Sequence, residues 1–167
     1  MESYEIREMK NKDLKQVINI YKEGIETGIA TFQTEAPDFE SWDKGHLKNG
    51  RFVACKENKI LGWIAISPTS SRCVYSGVVE VSIYIEKDSR HNGIGNKLMN
   101  KIIDYAEKNN IWTLYSLIII KNTASITLHK KCGFREVGTR EKIAKLSNGE
   151  WCDTVIMEYR SKKVGID

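Results

Sequence analysis

A carboxylate stands in the middle of the apolar run VVEVSIYI, and a glycine-rich stretch, SRHNGIGNKL, follows shortly after it. In the run, the two-residue period of an extended chain puts Val79, Val81, Ile83 and Ile85 on one face and Glu80, Ser82 and Tyr84 on the other. If that second face is buried, the Glu80 carboxyl is pushed up toward the range of a useful general base. If it is solvated or ion-paired, Glu80 is an ordinary surface carboxylate, and spacing alone leaves both readings open. The glycine-rich stretch is a phosphate-site candidate. Arg90, His91, Asn92, Gly93, Ile94, Gly95 and Asn96 gather unpaired backbone N–H groups at the positive end of the helix they open. It is not a Walker loop, which needs G-x-x-x-x-G-K-[ST]. It also fits a dinucleotide fingerprint poorly, because Leu98 replaces the third glycine and the motif falls halfway along the chain. Further on, LHKKCGF offers His129, which can move a proton near neutral pH, and Cys132 between lysine and glycine. A thiol-acyl mechanism at Cys132 is unconvincing. Zinc would want at least three protein ligands, and the 3 histidines of the chain are widely separated, so no metal is expected.

These groups need elements to hold them. YEIREMK reads as a short strand, and Asp13 as the cap of a helix whose apolar positions Leu14, Val17, Ile18, Tyr21 and Ile25 recur at helical spacing. ATFQTEAPDF is irregular and broken by Pro37. SWDKGHLKN is a weaker helix because Gly45 lies inside it. RFVACKE and ILGWIAIS read as strands joined by the turn ENK, and VVEVSIYIE as the clearest strand. IGNKLMNKIIDYAEKNN is the clearest helix, with Ile94, Leu98, Ile102 and Ala106 along one face. TLYSLIII then gives a buried strand, NTASITLHKKCG a helix ended by Gly133, and FREVGTREKI with DTVIMEYR two closing strands. Helices interrupting a majority of strands predict an α/β or α+β sheet protein.

Composition sets the outer limits. At 167 residues, with 41% hydrophobic and 29% charged, the chain reads as one soluble globular domain, 1–167, without repeats or linkers. LGWIAI and SLIII fall short of a membrane span, the N-terminus lacks a signal-peptide core, and a cytoplasmic location is expected. The 4 cysteines show no framework spacing, which predicts reduced thiols. The net charge of +4 is dispersed among 22 acidic residues rather than gathered in a stripe, so neither nucleic acid nor membrane is expected as a partner.

The pattern R-x-x-G-I-G-x-x-L after a strand resembles the acetyl-CoA loop of the GNAT acetyltransferase superfamily. A second block, N-x-x-S-x-x-L-x-x-x-x-G-F, matches through Asn122, Ser125, Leu128, Gly133 and Phe134. The resemblance sharpens to the phosphinothricin and methionine sulfoximine N-acetyltransferases through Glu26, Thr27, Thr31 and Phe32, the segment around Arg72 and Tyr75, Glu80 in its strand, and Gly149, Trp151 and Asp153. It spans residues 4–159. It implies a GNAT fold, a mixed and mostly antiparallel twisted sheet flanked by helices, with acetyl-CoA as co-substrate and a small amino acid or analogue as acceptor. It further implies Glu80 as base and His129 in a slot that often holds a tyrosine acid, with a second-base role for His129 left open. Acetyl-CoA would meet Ile83, Tyr84, Ile85, the loop from Arg90 to Asn96, Asn122 and Ser125. The acceptor would meet Arg72 at its carboxylate and Thr31, Phe32, Tyr75 and Trp151 around its side chain. A homodimer is one assembly this resemblance allows. Rival readings are a GNAT acting on a protein N-terminus or a polyamine, and a CoA-binding module without turnover.

Overall fold

The computed structural model describes residues 4–166. Besides short 3-10 turns, the described chain forms β1 (Glu5–Glu8), α1 (Leu14–Glu26), α2 (Phe39–Gly45), β2 (Phe52–Lys56), β3 (Lys59–Pro68), β4 (Val78–Ile85), α3 (Ile94–Lys108), β5 (Thr113–Ile119), α4 (Thr123–Lys131), β6 (Arg135–Lys145) and β7 (Trp151–Arg160). The strands make one seven-stranded sheet in the order β1-β2-β3-β4-β5-β7-β6. Every neighbouring pair is antiparallel except β4 and β5, which run parallel because α3 crosses over between them. This is the α/β sheet protein that the run of elements predicts, with the mixed, mostly antiparallel sheet that the family resemblance implies.

Each face of the sheet has its own core. On one, Ile94, Leu98, Ile102 and Ala106 of α3 pack with Val79, Val81, Leu114, Ile118, Val155 and Met157. On the other, Val17, Ile18 and Ile20 of α1 and Trp42 of α2 pack with Val53, Cys55, Trp63 and Ala65. Side chains of this size are worth roughly 1.5–3 kcal/mol each when fully buried, so the amphipathic stripes of α1 and α3 fix which helix covers which face. In β4 the alternation holds: Val79 and Val81 are buried in the α3 core, while Glu80 and Ser82 are half-buried.

Asp13 departs from its expected role. It makes no cap bond to α1. Its buried carboxylate instead accepts from the Arg7 guanidinium at 2.7 and 3.0 Å and from the Lys10 backbone N–H at 2.8 Å. A guanidinium fork outcompetes a lone helical N–H for a carboxylate. The true cap of this region is Asp38, which accepts from the Ser41 N–H at 2.7 Å and starts α2 directly after Pro37. Gly45 falls on the last residue of α2, where its propensity cost matters least.

The feature that makes a site is a short ladder. β4 and β5 pair only at Val78–Thr113, Val79–Leu114 and Glu80–Tyr115. Beyond Glu80, β4 continues against β3 to Ile85, and β5 continues against β7 to Ile119. The two central strands therefore part, and residues 81–85 keep one backbone edge without a strand partner.

Candidate active site

The wedge between the parted strands opens into a cleft of about 460 Å³. Directly opposed residues on neighbouring strands share a sheet face. Glu80 with Tyr115, Leu117 with Ile156, and Ile119 with Thr154 and Arg140 thus mark one continuous wall on the α1 side. Glu80 stands at the last rung before the strands separate. Among the described residues it has no hydrogen-bond or ion-pair partner, and burial pushes its carboxyl above the ordinary glutamate range.

Beside it lies an aromatic group. Tyr84 stacks on Trp63 with ring centroids 5.0 Å apart and meets the Tyr21 ring edge-on at 4.8 Å. Burial holds its phenol far above the ordinary tyrosine range, so it stays protonated. Gly24 of α1 makes this possible, since a Cβ there would lie 2.7 Å from the Tyr84 ring. A glycine inside a helix costs about 1 kcal/mol relative to alanine, and here it admits a ring to the cleft wall. Thr31, bonded to the Tyr21 hydroxyl at 3.3 Å, and Phe32 close the cleft from the irregular segment. Phe32 also packs on the small cluster of Ile119, Leu146 and Cys152.

On the opposite wall, Asn122, Ser125 and His129 come together at α4. Asn122 caps this helix, its side chain accepting from the Ser125 N–H at 3.2 Å. His129 is 1% exposed. Its Nδ1 lies 2.7 Å from the Ser125 carbonyl, an acceptor only, so Nδ1 carries the proton. Nε2 is then free to accept from the Ser116 hydroxyl at 2.9 Å. Burial lowers the His129 pKa below the ordinary histidine value. In this tautomer the acceptor nitrogen faces Ser116, and burial disfavours the imidazolium form that an acid would need. The Ser116 oxygen also lies 3.3 Å from the Val81 carbonyl, a second and more distant acceptor for its one hydroxyl proton, across the point where the strands part.

The glycine loop lies at the start of α3. Lys97 N–H closes the first turn on the Gly93 carbonyl at 3.2 Å, so the N–H groups of Ile94, Gly95 and Asn96 have no earlier helical acceptor. His91 and Gly93 are left-handed at φ 65° and 76°, and open space surrounds Gly93. Gly95 has a second reason to be glycine, since a Cβ there would sit 3.0 Å from Leu128 of α4. The side chains of Arg90, Asn92 and Asn96 are tied to the Ile85 carbonyl, the Ser89 carbonyl and the Cys132 thiol. What the loop offers is backbone.

Ile83 and Tyr84 line the cleft, whereas Ile85 and the loop from Arg90 to Asn96 lie beyond its lining, along the same strand edge and the helix that follows. Arg72, Tyr75 and Trp151 are not among the lining residues. Arg72 is exposed and lies over the Tyr75 ring at 5.5 Å. Trp151 is 54% exposed at the end of β7, under the Lys145 ammonium at 5.1 Å. Sequence reasoning did not single out Ser116, Arg140, Thr154 or Trp63, all of which line the cleft. Ser116 carries the signal that marked Glu80, a polar residue inside the apolar run LYSLIII. Among the described residues no group of three His, Cys, Asp or Glu side chains could hold a metal, and no helix is long and apolar enough to cross a membrane.

Residues 6–156 match the family described as an acetyltransferase (GNAT) domain. The phosphinothricin N-acetyltransferase of Alcaligenes faecalis is 29% identical over 159 residues, 92% of this chain and 80% of that one. The L-methionine sulfoximine/L-methionine sulfone acetyltransferase of Pseudomonas paraeruginosa is 24% identical over 162 residues, 93% and 94% of the two chains. Among solved structures, a GNAT superfamily phosphinothricin acetyltransferase from Sinorhizobium meliloti in complex with acetyl-CoA superposes with a TM-score of 0.89 at 23% identity, over 99% of this chain and 92% of that one.

Proposed function

The chain belongs to the GNAT acetyltransferase family, and on that premise we propose that it acetylates the α-amino group of a small amino acid, or of an analogue with a tetrahedral sulfur or phosphorus centre. The observation that carries the reading is Glu80: an unpaired, half-buried carboxylate at the rung where β4 and β5 part.

Acetyl-CoA fits the backbone that the fold leaves free. The unpaired edge of residues 81–85 offers amides to a pantetheine chain, the N–H groups at the start of α3 face a pyrophosphate, and Asn122 and Ser125 close the far side. Glu80 takes one proton from the incoming ammonium, directly or through water, and is suited to this by its raised pKa. The neutral amine attacks the thioester carbonyl in a ternary complex. As the tetrahedral adduct collapses, nitrogen gives up its second proton and the departing sulfur gains one. A thiol of ordinary pKa near 8.5 is a tolerable leaving group without a dedicated acid. His129 then serves as a positioning residue, tying α4 to β5 through Ser116 at the edge of the wedge.

For the acceptor, Arg72 supplies the carboxylate fork and Tyr75 its flank, by swinging from their present stack toward the cleft. The relatives that act on phosphinothricin and methionine sulfoximine support this choice. Two features weigh against the rival acceptors. Glu80 is the one carboxylate among the lining residues, too little negative charge for a polyamine, and residues 30–33 with Pro37 line the cleft beside it, taking up wall that a peptide would need. Retention of an unpaired Glu80 together with the loop weighs against a module without turnover. The test is release of free thiol from acetyl-CoA with phosphinothricin, methionine sulfone, spermidine and a short peptide as acceptors, with product masses recorded. Acetylation of the first two in preference to the others is expected. Preference for spermidine or peptide would overturn the amino-acid reading, and no thiol release with any of them would favour the binding module.

A further inference from the structure

β6 carries an interruption that alternation alone would not produce. Its pairing with β7 shifts register once between Glu136 and Gly138, runs on to Arg140–Thr154, breaks, and resumes at Ala144–Cys152. Within the break Lys142 is left-handed at φ 44°, and its N–H is held by the Asp153 carboxylate at 2.7 Å. Bulges of this kind re-aim side chains. In an uninterrupted strand Arg140 and Ile143 would point to opposite faces, yet both line the cleft, together with Ala144. Asp153, singled out by the G-x-W-x-D pattern, thereby has a structural task.

The consequence is a cation at the cleft mouth. Arg140 is the one arginine or lysine among the lining residues. Of the nearby cations, Arg135 pairs with Glu158, Lys145 lies over Trp151, and Lys130 of α4 pairs with Glu136. Arg140 makes no hydrogen bond or ion pair among the described residues. Its charge is felt by Tyr115, the cross-strand partner of Glu80. Directly opposite Arg140 on β7, Thr154 is 4% exposed and lines the cleft, and its buried hydroxyl has no hydrogen-bond partner among the described residues. A free guanidinium and an orphaned hydroxyl, side by side on the wall that holds Glu80, match an oxygen-rich anion.

We propose that Arg140, presented by the Asp153-held bulge and assisted by Thr154, binds a negatively charged group at the far end of the acceptor's side chain, such as a phosphinate or a second carboxylate. This rests on the amino-acid reading, in which Arg72 holds the α-carboxylate, and adds a second anion subsite that ranks acceptors by the charge of their distal group.

The experiment compares phosphinothricin, whose distal phosphinate is anionic, with methionine sulfone, whose distal oxygens are neutral, in the wild type, Arg140→Met and Arg140→Lys. Arg140→Met is expected to lower kcat/KM for phosphinothricin on the order of 30-fold or more, mainly through KM, as loss of a charge-assisted contact does. It should change methionine sulfone by less than about threefold, leave KM for acetyl-CoA unaltered, and be partly rescued in Arg140→Lys. Asp153→Ala should shift the ratio in the same direction without touching the guanidinium. An unchanged ratio in Arg140→Met, or equal losses for both acceptors, overturns the assignment while the amino-acid reading stands. If the wild type acetylates neither compound, the amino-acid reading falls and the subsite falls with it.

Discussion

At the scale of single residues, buried ionisable groups set what the site can do. His129 shows how one carbonyl decides a tautomer: Ser125 can only accept, so the ring must donate from Nδ1 and receive at Nε2. Nitrogen-15 spectra are expected to report the Nδ1–H form of His129, titrating at lower pH than a free imidazole, because burial disfavours the charged ring. A ring that titrates at higher pH than a free imidazole would restore it as an acid. Glu80 bears the opposite shift. A carboxyl whose folded pKa is raised binds its proton more tightly when folded, so its contribution to stability is full in acid and is lost as pH rises through the folded value. Glu80→Gln should therefore melt above the wild type at pH 8, with the gap closing toward pH 4, and equal melting at both pH values would argue that the carboxylate is solvated. Glu80 was legible in the sequence as a polar residue in an apolar strand, whereas the state of His129 was not, because the Ser125 carbonyl that fixes it belongs to no side-chain pattern.

Elements explain why the site residues converge. The alternation in VVEVSIYI and the helical stripe of Ile94, Leu98, Ile102 and Ala106 were readable because each follows from local geometry and burial. The parting of β4 from β5, the bulge in β6 and the tie of Asp13 to Arg7 were not, since each depends on a partner distant in sequence or on a backbone twist without a residue signature. Asp13→Asn should cost roughly 3 kcal/mol by leaving Arg7 half-paired, read from denaturant unfolding. Burial acting alone would raise the Asp13 pKa, but the Arg7 fork and the Lys10 N–H overcome it and the net shift is downward. Its contribution is accordingly present above the unfolded carboxyl value and lost as pH falls through the lower folded one. The difference between wild type and Asp13→Asn should shrink at acid pH, and a difference independent of pH would contradict the pairing. Helix α1 contributes through an absence of side chain. Gly24→Ala must displace the Tyr84 ring, which a Cβ would approach to 2.7 Å. The ring stands on the Glu80 face of β4 while the pantetheine chain is assigned to the backbone edge alone, so the expected result is a KM for the acceptor raised several-fold with KM for acetyl-CoA unchanged. If both constants stayed at wild-type values, the ring would have no part in acceptor binding.

Over the whole molecule, two sheet faces with separate cores meet at one seam, and the seam is where the strands separate. Acetyl-CoA as co-substrate and GNAT membership were accessible from the loop and the Asn122 block, which are local backbone requirements written as glycines and a cap. The residues proposed for the acceptor were harder to read: Thr31 and Phe32 reach the cleft, Arg72 and Tyr75 stand stacked outside it, and Arg140 follows a break in the β6 pairing. The account as a whole turns on proton removal at the seam. Its most direct test is the acetyl-transfer rate of Glu80→Gln at saturating acceptor across pH, with CoA affinity titrated on the same preparation. The expected result is kcat lower on the order of 100-fold, loss of the acid limb expected of the wild type as Glu80 takes up its proton, and CoA affinity near wild type. A Glu80→Gln enzyme that turns over at a near-normal rate with the wild-type pH profile would contradict it.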